Sequence, residues 1–229
     1  MIDILPAHSE SFVRALGPQP DAVVEEMEAL AAERGDRFPG EEAFPTVGPA
    51  VGAWLQLLAE LTGAERVFEF GSGFGYSAYW LARGLGDGEI VLTEVDRDEL
   101  DLAREFLARG DFEATIHFEH GDALEIVDAY DGPFDLVVLD HKNDAYPAAF
   151  EAVRGKLAPG GVLVADNVMT AAIIQTEALL SGLESGELPP GTNDHTRGVY
   201  EYLTAVRDDP AVTTGVLPVG GGVAVSRRA

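Results

Sequence analysis

The sequence predicts an α/β protein: a doubly wound, seven-stranded sheet, mostly parallel, ending in an antiparallel hairpin. Three observations predict it. Apolar runs of strand length alternate with stretches of helical period from Arg66 to Asp166, the order that puts helices on both faces of a parallel sheet. After Asn167 the alternation stops, and the last two strand-like runs are joined by Val219-Gly-Gly-Gly, a connection short enough for antiparallel neighbours. Of the 229 residues 46% are apolar, enough for one good core. A single domain over 1–229 is therefore expected, with 1–63 giving N-terminal helices and a covering segment and 64–229 the α/β core.

Asp21 to Arg34 reads as an amphipathic helix with an aspartate start, and Gly35 to Gly48 as a loop. Pro49 opens a second helix, with Val51, Trp54, Leu55, Leu58 and Leu61 at helical spacing and Gly63 as its stop. Strands are expected at Arg66–Phe70, Ile90–Glu94, Thr115–Glu119, Phe134–Asp140 and Gly161–Asp166. Between them fall helices at Tyr76–Arg83, Asp98–Arg109, Ala123–Ala129 and Tyr146–Leu157. Two further helices, near Ala171–Leu183 and Thr196–Arg207, precede strands Val212–Pro218 and Gly222–Ser226. Leu183 to Asn193, rich in Gly, Pro and Glu, reads as a mobile loop.

Forty acidic residues stand against 15 basic ones, a net charge of -25, and Lys142 and Lys156 are the only lysines. Such an acid excess suits a halophilic cytoplasm, where salt screens self-repulsion. It counts against a nucleic-acid partner, an argument that molar salt blunts. No run approaches a membrane span. Met1 to Glu10 lacks a basic region followed by an apolar stretch, so a cytoplasmic protein without a secretory leader is expected. With no cysteine, neither disulfides nor thiolate chemistry is available. A homodimer is compatible with all of this.

In doubly wound sheets, ligands bind outside the carboxyl ends of the strands. Glu69, Glu94, Asp122, Asp140 and Asp166 stand at or just beyond those ends, so five consecutive strands bring acids to one edge. Leu139 to Tyr146 and Val164 to Asn167 place Asp140, Asp166 and Asn167 directly after buried strands. Two carboxylates and a carboxamide suit a hard divalent cation, Mg²⁺ with Mn²⁺ or Ca²⁺ as substitutes, that keeps waters and takes a substrate oxygen.

Val67-Phe-Glu-Phe-Gly-Ser-Gly-Phe-Gly-Tyr-Ser77 is a strand, a glycine turn and a helix start. Gly71, Gly73 and Gly75 allow close backbone approach, and the helix aims its N-terminus at a ligand. Glu94 ends the second strand, where an acid accepts from ribose hydroxyls. Asp122, with Ala123 beside it, either meets an adenine amino group or caps the following helix. The spacing is G-x-G-x-G behind the acidic Glu69, not the G-x-G-x-x-G of a dinucleotide site. An acid there repels a pyrophosphate but attracts a cationic ligand, so S-adenosylmethionine, with its ammonium and sulfonium, fits better than NAD. Ser77 could bond the methionine carboxylate or serve as a cap.

These segments resemble the metal-dependent class I O-methyltransferases of the catechol and caffeoyl-coenzyme-A type over nearly the whole chain. Pro45-Thr-Val-Gly is similar to the family's segment over the cofactor, Val67-Phe-Glu-Phe-Gly with Gly75-Tyr-Ser77 to its first motif, and Leu92-Thr-Glu94 to its ribose-binding strand end. Leu139-Asp-His with Asp144-Ala-Tyr146, and Ala165-Asp-Asn-Val168, resemble its metal motifs, and Leu217-Pro-Val-Gly-Gly-Gly-Val223 its terminal hairpin. The resemblance implies a Rossmann-like methyltransferase fold. It implies transfer of the S-adenosylmethionine methyl to a metal-chelated hydroxyl of a small molecule, diphenol-like or related. Asp140, Asp166 and Asn167 carry over as metal ligands, Glu94 to the ribose, and Val47, Glu69 and Ser77 to the methionine part. Asp140 counts among the cofactor and catalytic residues as well.

One departure matters. The family's presumed general base is a lysine three residues after the first metal aspartate, and here that position is Asn143, with Lys142 one place earlier. Asp140, Lys142 and Asn143 are therefore the candidate catalytic set. A desolvated lysine beside Mg²⁺ loses proton affinity, as a base must; otherwise Lys142 is a surface residue paired with Asp144. The aromatic residue of the family's catechol pocket is missing at Lys142, so the acceptor need not be a catechol. His141 reads as packing, His117 and His120 as facing solvent or the adenine edge, Glu25-Glu26 and Glu41-Glu42 as solvated surface. Trp54 and Phe44 read as core or pocket wall, and Trp80 as packed on the sheet. Competing functions are a tRNA hydroxyuridine O-methyltransferase, against which the lack of a basic stripe counts, and a non-catalytic S-adenosylmethionine-binding module. A dehydrogenase is disfavoured by the glycine spacing.

The charge leads to a direct expectation: the protein folds cooperatively and stays soluble only in molar salt. Calorimetric melts in dilute buffer and in molar KCl check this, and superimposable melts would refute the halophilic reading.

Overall fold

The structure, a computed structural model, describes residues 9–37 and 46–229. Phe44, Pro45 and Glu41-Glu42 lie outside the described residues. The strands are β1 (Arg66–Phe70), β2 (Glu89–Glu94), β3 (Thr115–His120), β4 (Phe134–Leu139), β5 (Leu157–Ala165), β6 (Val212–Leu217) and β7 (Val223–Arg228). They form one seven-stranded sheet in the order β3-β2-β1-β4-β5-β7-β6. β1 to β5 run parallel, while β7 is antiparallel to both β5 and β6. The doubly wound sheet with its C-terminal hairpin is thus the fold the sequence predicted.

Both faces of the central strands are buried, and alternate residues serve opposite layers. Val67, Leu136, Val138, Val162 and Val164 pack with α3 (Gly48–Thr62), α4 (Tyr76–Leu85) and α5 (Arg97–Leu107). Phe68, Phe70, Val137, Leu139 and Leu163 pack on the other face with α7 (Tyr146–Val153), α8 (Thr176–Ser185) and α9 (Asp194–Asp208). Local signals start and stop these helices. Asp96 accepts from the Asp98 and Glu99 amides at the head of α5, and Gly63 closes α3 in the left-handed region.

Helix α2 (Ala22–Arg37) lies over the α4 side of the sheet. The Asp21 carboxylate accepts from the Val23 and Val24 amides at 3.0 Å each, which starts the helix. Tyr76 and Tyr79 donate to Glu28 and Asp21 at 2.9 and 3.0 Å, and Arg34 forks onto Glu99 at 2.7 and 2.9 Å. The tyrosine bonds fasten α2 and its start to the first turn of α4, beside the glycine turn, and Arg34 ties α2 to α5.

Some elements differ from the sequence reading. A helix α1 (Ser9–Leu16) precedes α2 where none was expected. The stretch Ala123–Ala129 divides into α6 (Ala123–Ile126) and a 3-10 turn over Val127–Ala129. Helix α8 begins at Thr176 rather than near Ala171, because Ala171–Ile174 is a turn closed by the Ile174 amide on the Ala171 carbonyl. Leu157 starts β5 instead of ending α7: it pairs with Phe134 across an irregularity in the β4–β5 register. Trp80 is fully buried in the core shared by this face of the sheet and its helices, and a Cβ on Gly52 of α3 would fall 2.4 Å from its ring, so the indole also packs closely on that helix. Trp54 is half-buried at the edge of the same core.

The turn between β6 and β7 reaches back to the strand-end edge. The Gly221 carbonyl accepts from the Met169 and Thr170 amides at 2.9 Å each, and the Gly222 carbonyl from Val168 at 3.0 Å. A Cβ on Gly221 would sit 2.3 Å from Asn167 Oδ1, and one on Gly220 2.7 Å from Val51 of α3. The turn therefore seats Asn167, and only glycine leaves room for its side chain. Gly221→Ala is expected to lose about 1–3 kcal/mol of stability. Urea melts at fixed salt test this; an unchanged midpoint would show that Asn167 moves aside freely.

Candidate functional site

A cavity of about 560 Å³ opens at the carboxyl ends of the parallel strands, a volume ordinary for a small-molecule site. Its walls include Thr46 and Val47 before α3, the Gly71–Phe74 turn, Ser77, Glu94, Asp122, Ala123, Asp140, His141, Lys142 and Asn167. Of the residues singled out from the sequence, Glu69, Asn143 and Asp166 lie behind this surface. Gly75 opens α4 as its left-handed cap.

The turn after β1 is held by backbone and acid together. Gly71, Gly73 and Gly75 have φ of 79°, 48° and 84°, values open to glycine at no steric cost. A Cβ on Gly71 would fall 2.7 Å from the Asp140 carbonyl, so glycine also lets the turn lie against the end of β4. The Ser72 amide donates to the Thr93 carbonyl at 3.0 Å, and the Gly73 amide to Glu94 Oε2 at 2.9 Å. Glu94 Oε1 accepts from Asp96 N–H, also at 2.9 Å. Glu94 thus pins the turn to β2 while keeping unused lone pairs on the cavity wall. That structural duty was not visible from the sequence, because the contact spans two strands.

Beneath the turn, Glu69 is fully buried and neither of its oxygens meets a protein donor with hydrogen-bond geometry. Burial pushes its carboxyl up to about 7; the buried Ser77 hydroxyl pulls the other way, and the Glu94 charge adds to the rise. Asp122 settles into its capping role, accepting from the Leu124 amide at 2.9 Å, yet also borders the cavity with Ala123. His117 and His120 lie on β3 away from the cavity, beside Glu89 at 3.4 Å and Arg97 at 3.2 Å.

The ends of β4 and β5 bring Asp140, Asp166 and Asn167 together. The Asp140 amide donates to the Phe70 carbonyl at 2.9 Å and the Asp166 amide to the Leu139 carbonyl at 3.1 Å. Asn167, at φ 59°, is the one non-glycine residue with positive φ among the described residues, a conformation asparagine tolerates better than most. Asp166 is 4% exposed, and its Oδ1 is buried without a partner. Burial raises Asp140 well above the ordinary carboxylate range, and Asp166, Glu69 and Glu94 add repulsion; burial raises Asp166 as well. Among the described residues no three His, Asp or Glu side chains form a metal-ready group, so an ion here would rest on two carboxylates and the Asn167 carboxamide. A partnerless buried carboxylate oxygen beside a second, half-buried acid on the cavity wall fits a hard cation, which would relieve both.

Lys142 and Asn143 part company. Lys142 is exposed at the cavity wall, with no ion-pair partner among the described residues, Asp144 included. Asn143 is buried and off the cavity, because a 3-10 turn over Asn143–Ala145 folds its side chain under towards Tyr146. A Cβ on Gly198 of α9 would come within 2.4 Å of the Asn143 carbonyl, so the segment is clamped from behind. His141 lies between Phe70 and Tyr146, 5.3 Å from each ring, and burial pushes it down to about 4. It is a neutral wall. Lys142 is thus a single cation beside Glu94, Asp122 and Asp140 on a wall that favours cationic ligands.

The O-methyltransferase family model matches residues 24–229. A catechol O-methyltransferase of Niastella koreensis is 31% identical over 161 residues, covering 67% of this chain and 69% of that protein. A putative O-methyltransferase of Mycobacterium avium is 30% identical over 227 residues, 97% of this chain and 94% of that protein. The solved O-methyltransferase TomG from Streptomyces achromogenes, involved in tomaymycin synthesis and in complex with SAM, superimposes with a TM-score of 0.76 at 26% identity, covering 96% of this chain and 95% of that one.

Glu69 carries a pH prediction. Its folded pKa of about 7 stands above the ordinary 4.5, so its contribution to stability is fully present below pH 4.5 and is lost as pH rises through 7. Glu69→Gln should raise the melting temperature of the ligand-free protein at pH 8, by on the order of 1–3 kcal/mol in stability, and flatten part of the decline between those pH values. Melts across this range at constant salt check it; parallel curves for the two proteins would refute the assignment.

Proposed function

The chain belongs to the O-methyltransferase family, and on that premise we propose that it moves the methyl of S-adenosylmethionine to a hydroxyl of a small molecule chelated by a divalent cation, Mg²⁺ in preference. The observation that carries this reading is one edge of the sheet that joins two features: a glycine turn pinned by Glu94, and half-buried Asp140 beside buried Asp166 with its partnerless carboxylate oxygen.

Each residue then has a physical task. Glu94 accepts from the ribose hydroxyls with the lone pairs its two amide bonds leave free. Asp122 and Ala123 border the adenine end. Ser77 and the helix start meet the methionine carboxylate, and buried Glu69 draws the ammonium through a medium in which charge is weakly screened. Val47, on the opposite wall, covers the methionine part and excludes water. Asp140, Asp166 and Asn167 hold the cation, whose chemistry when bound is to favour the ionised acceptor oxygen, while S-adenosylmethionine supplies an electrophilic methyl. The chain's own contribution is alignment: both groups sit on adjacent strand ends of a rigid sheet, so oxygen and methyl are held in reach of each other. Lys142 Nζ, once it has given up its own proton, is the side chain placed to take the acceptor's, because it borders the cavity and Asn143 does not. The acceptor is a small vicinal diol or diphenol-like molecule without the aromatic wall that would favour catechols.

Asp166→Ala should lower methyl transfer by more than about 100-fold and leave the S-adenosylmethionine dissociation constant within about threefold, since the proposed cofactor contacts other than Asp140 come from segments earlier in the chain than β4. The assay uses labelled S-adenosylmethionine with a diphenol panel and, separately, cell RNA; calorimetry gives the cofactor affinity. Transfer that survives chelator treatment, or label entering RNA alone, would overturn the proposal.

A further inference from the structure

We propose that Tyr146 is the positioning residue of the cation-binding edge: its buried hydroxyl ties the end of β4 to the end of β5 and so sets the separation of Asp140 from Asp166 and Asn167. The inference rests on the metal reading given under the proposed function. Tyr146 is fully buried and does not border the cavity, so it touches neither cofactor nor acceptor.

Its hydroxyl lies 3.0 Å from the Leu139 carbonyl and 3.0 Å from the Asp166 carbonyl, donating to the two as a shared bond. The Leu139 carbonyl belongs to the peptide that carries the Asp140 amide, and the Asp166 carbonyl to the peptide that carries the Asn167 amide. One hydroxyl therefore grips the peptides on which three candidate ligands hang. The β4–β5 ladder ends at Leu139 and Ala165. Past that point the strand ends are joined by the Asp166 amide on the Leu139 carbonyl at 3.1 Å and by Tyr146. Asp140, half-buried on the cavity wall, and buried Asp166 repel each other at the same place, and the phenol holds the two ends together.

The ring itself is fixed. It packs 5.3 Å from His141 and 5.8 Å from Tyr202, which meets it edge-on, and it stands at the head of α7. The surrounding carboxylates and the lack of water keep the hydroxyl protonated and so a donor. Asn143 is buried near the phenol, its Nδ2 without a hydrogen-bond partner, which puts this asparagine behind the edge instead of in the cavity.

The test measures Mn²⁺ affinity by calorimetry, and amide hydrogen exchange at Asp140 and Asn167 in the metal-free protein. Four chains are compared: the parent, Tyr146→Phe, Tyr202→Phe and Asp166→Ala. Tyr146→Phe should bind Mn²⁺ about tenfold more weakly, exchange both amides faster and keep its S-adenosylhomocysteine affinity. Tyr202→Phe removes an equally buried hydroxyl from the same cluster without touching a strand end, and should change neither measurement. Asp166→Ala should abolish Mn²⁺ binding. Equal Mn²⁺ affinity in the parent and Tyr146→Phe would overturn the inference, as would an equal loss in Tyr202→Phe, which points to packing alone. A parent chain that binds no Mn²⁺ sinks the metal reading itself, recognisable because all four chains then behave alike. Should Tyr146→Phe fail to fold, Asn143→Ala decides: it keeps the phenol, and a loss of about two- to fivefold supports the inference where an unchanged affinity overturns it.

Discussion

Buried negative charge at the carboxyl ends of the parallel strands is the constraint to which the rest of this structure answers. Glu69, Glu94, Asp140 and Asp166 lie at the ends of four adjacent strands, and burial or mutual repulsion raises three of them. A buried carboxylate without a partner is costly, and a sheet offers no local remedy, since every strand in the parallel set ends at the same edge. The surrounding features are best understood as means of tolerating that arrangement. Glu94 is compensated by two backbone amides, one of them from the glycine turn. Asn167 takes a left-handed backbone, seated by the glycine turn between β6 and β7. A phenol bridges the strand ends between the two aspartates.

The compensated and uncompensated acids divide by task. Glu94 has its geometry fixed before any ligand arrives, so the wall that the functional reading gives to ribose hydroxyls is preorganised. Glu69 and Asp166 have oxygens with no protein partner, and these are the positions where the functional reading puts positive charge. Stability given up at those two positions in the free protein returns as affinity for cations, because a ligand that binds the folded state alone gains whatever strain it relieves. The same logic explains why the site uses carboxylates at strand ends, where the backbone is rigid, and leaves the more mobile lysine at the rim.

Much of the edge was legible in the sequence because its residues are placed by period and chain order. Strands buried on both faces read as continuous apolar runs, and an acid directly after such a run must fall at the sheet edge; Asp140 and Asp166 were readable for that reason. What escaped depended on contacts remote in sequence or on one residue of register. Helix α1 has eight residues, too short a run for its apolar spacing to stand out as a helical period in the sequence. Leu157 prolongs the helical pattern of α7, and only its pairing with Phe134 makes it strand. Adjacent residues Lys142 and Asn143 could not be ranked by spacing, because a 3-10 turn decides which one faces outward. The pinning of the glycine turn by Glu94 spans 21 residues of chain and leaves no local mark.

The position of Lys142 bears on how this chain differs from the pattern it resembles. A lysine at the 143 position would have to be buried, since the backbone there is clamped between Tyr146 and the close approach of Gly198. A buried ammonium there would lose its hydration, a cost that only well-placed carboxylates could offset. Moving the cation one residue earlier puts it on the exposed side of the same turn, where it keeps its hydration and still borders the cavity. The shift trades enforced proximity to the acceptor for a flexible four-carbon reach. In the proposed reaction, proton removal would then lean more on a divalent ion held by Asp140 and Asp166 and less on the lysine.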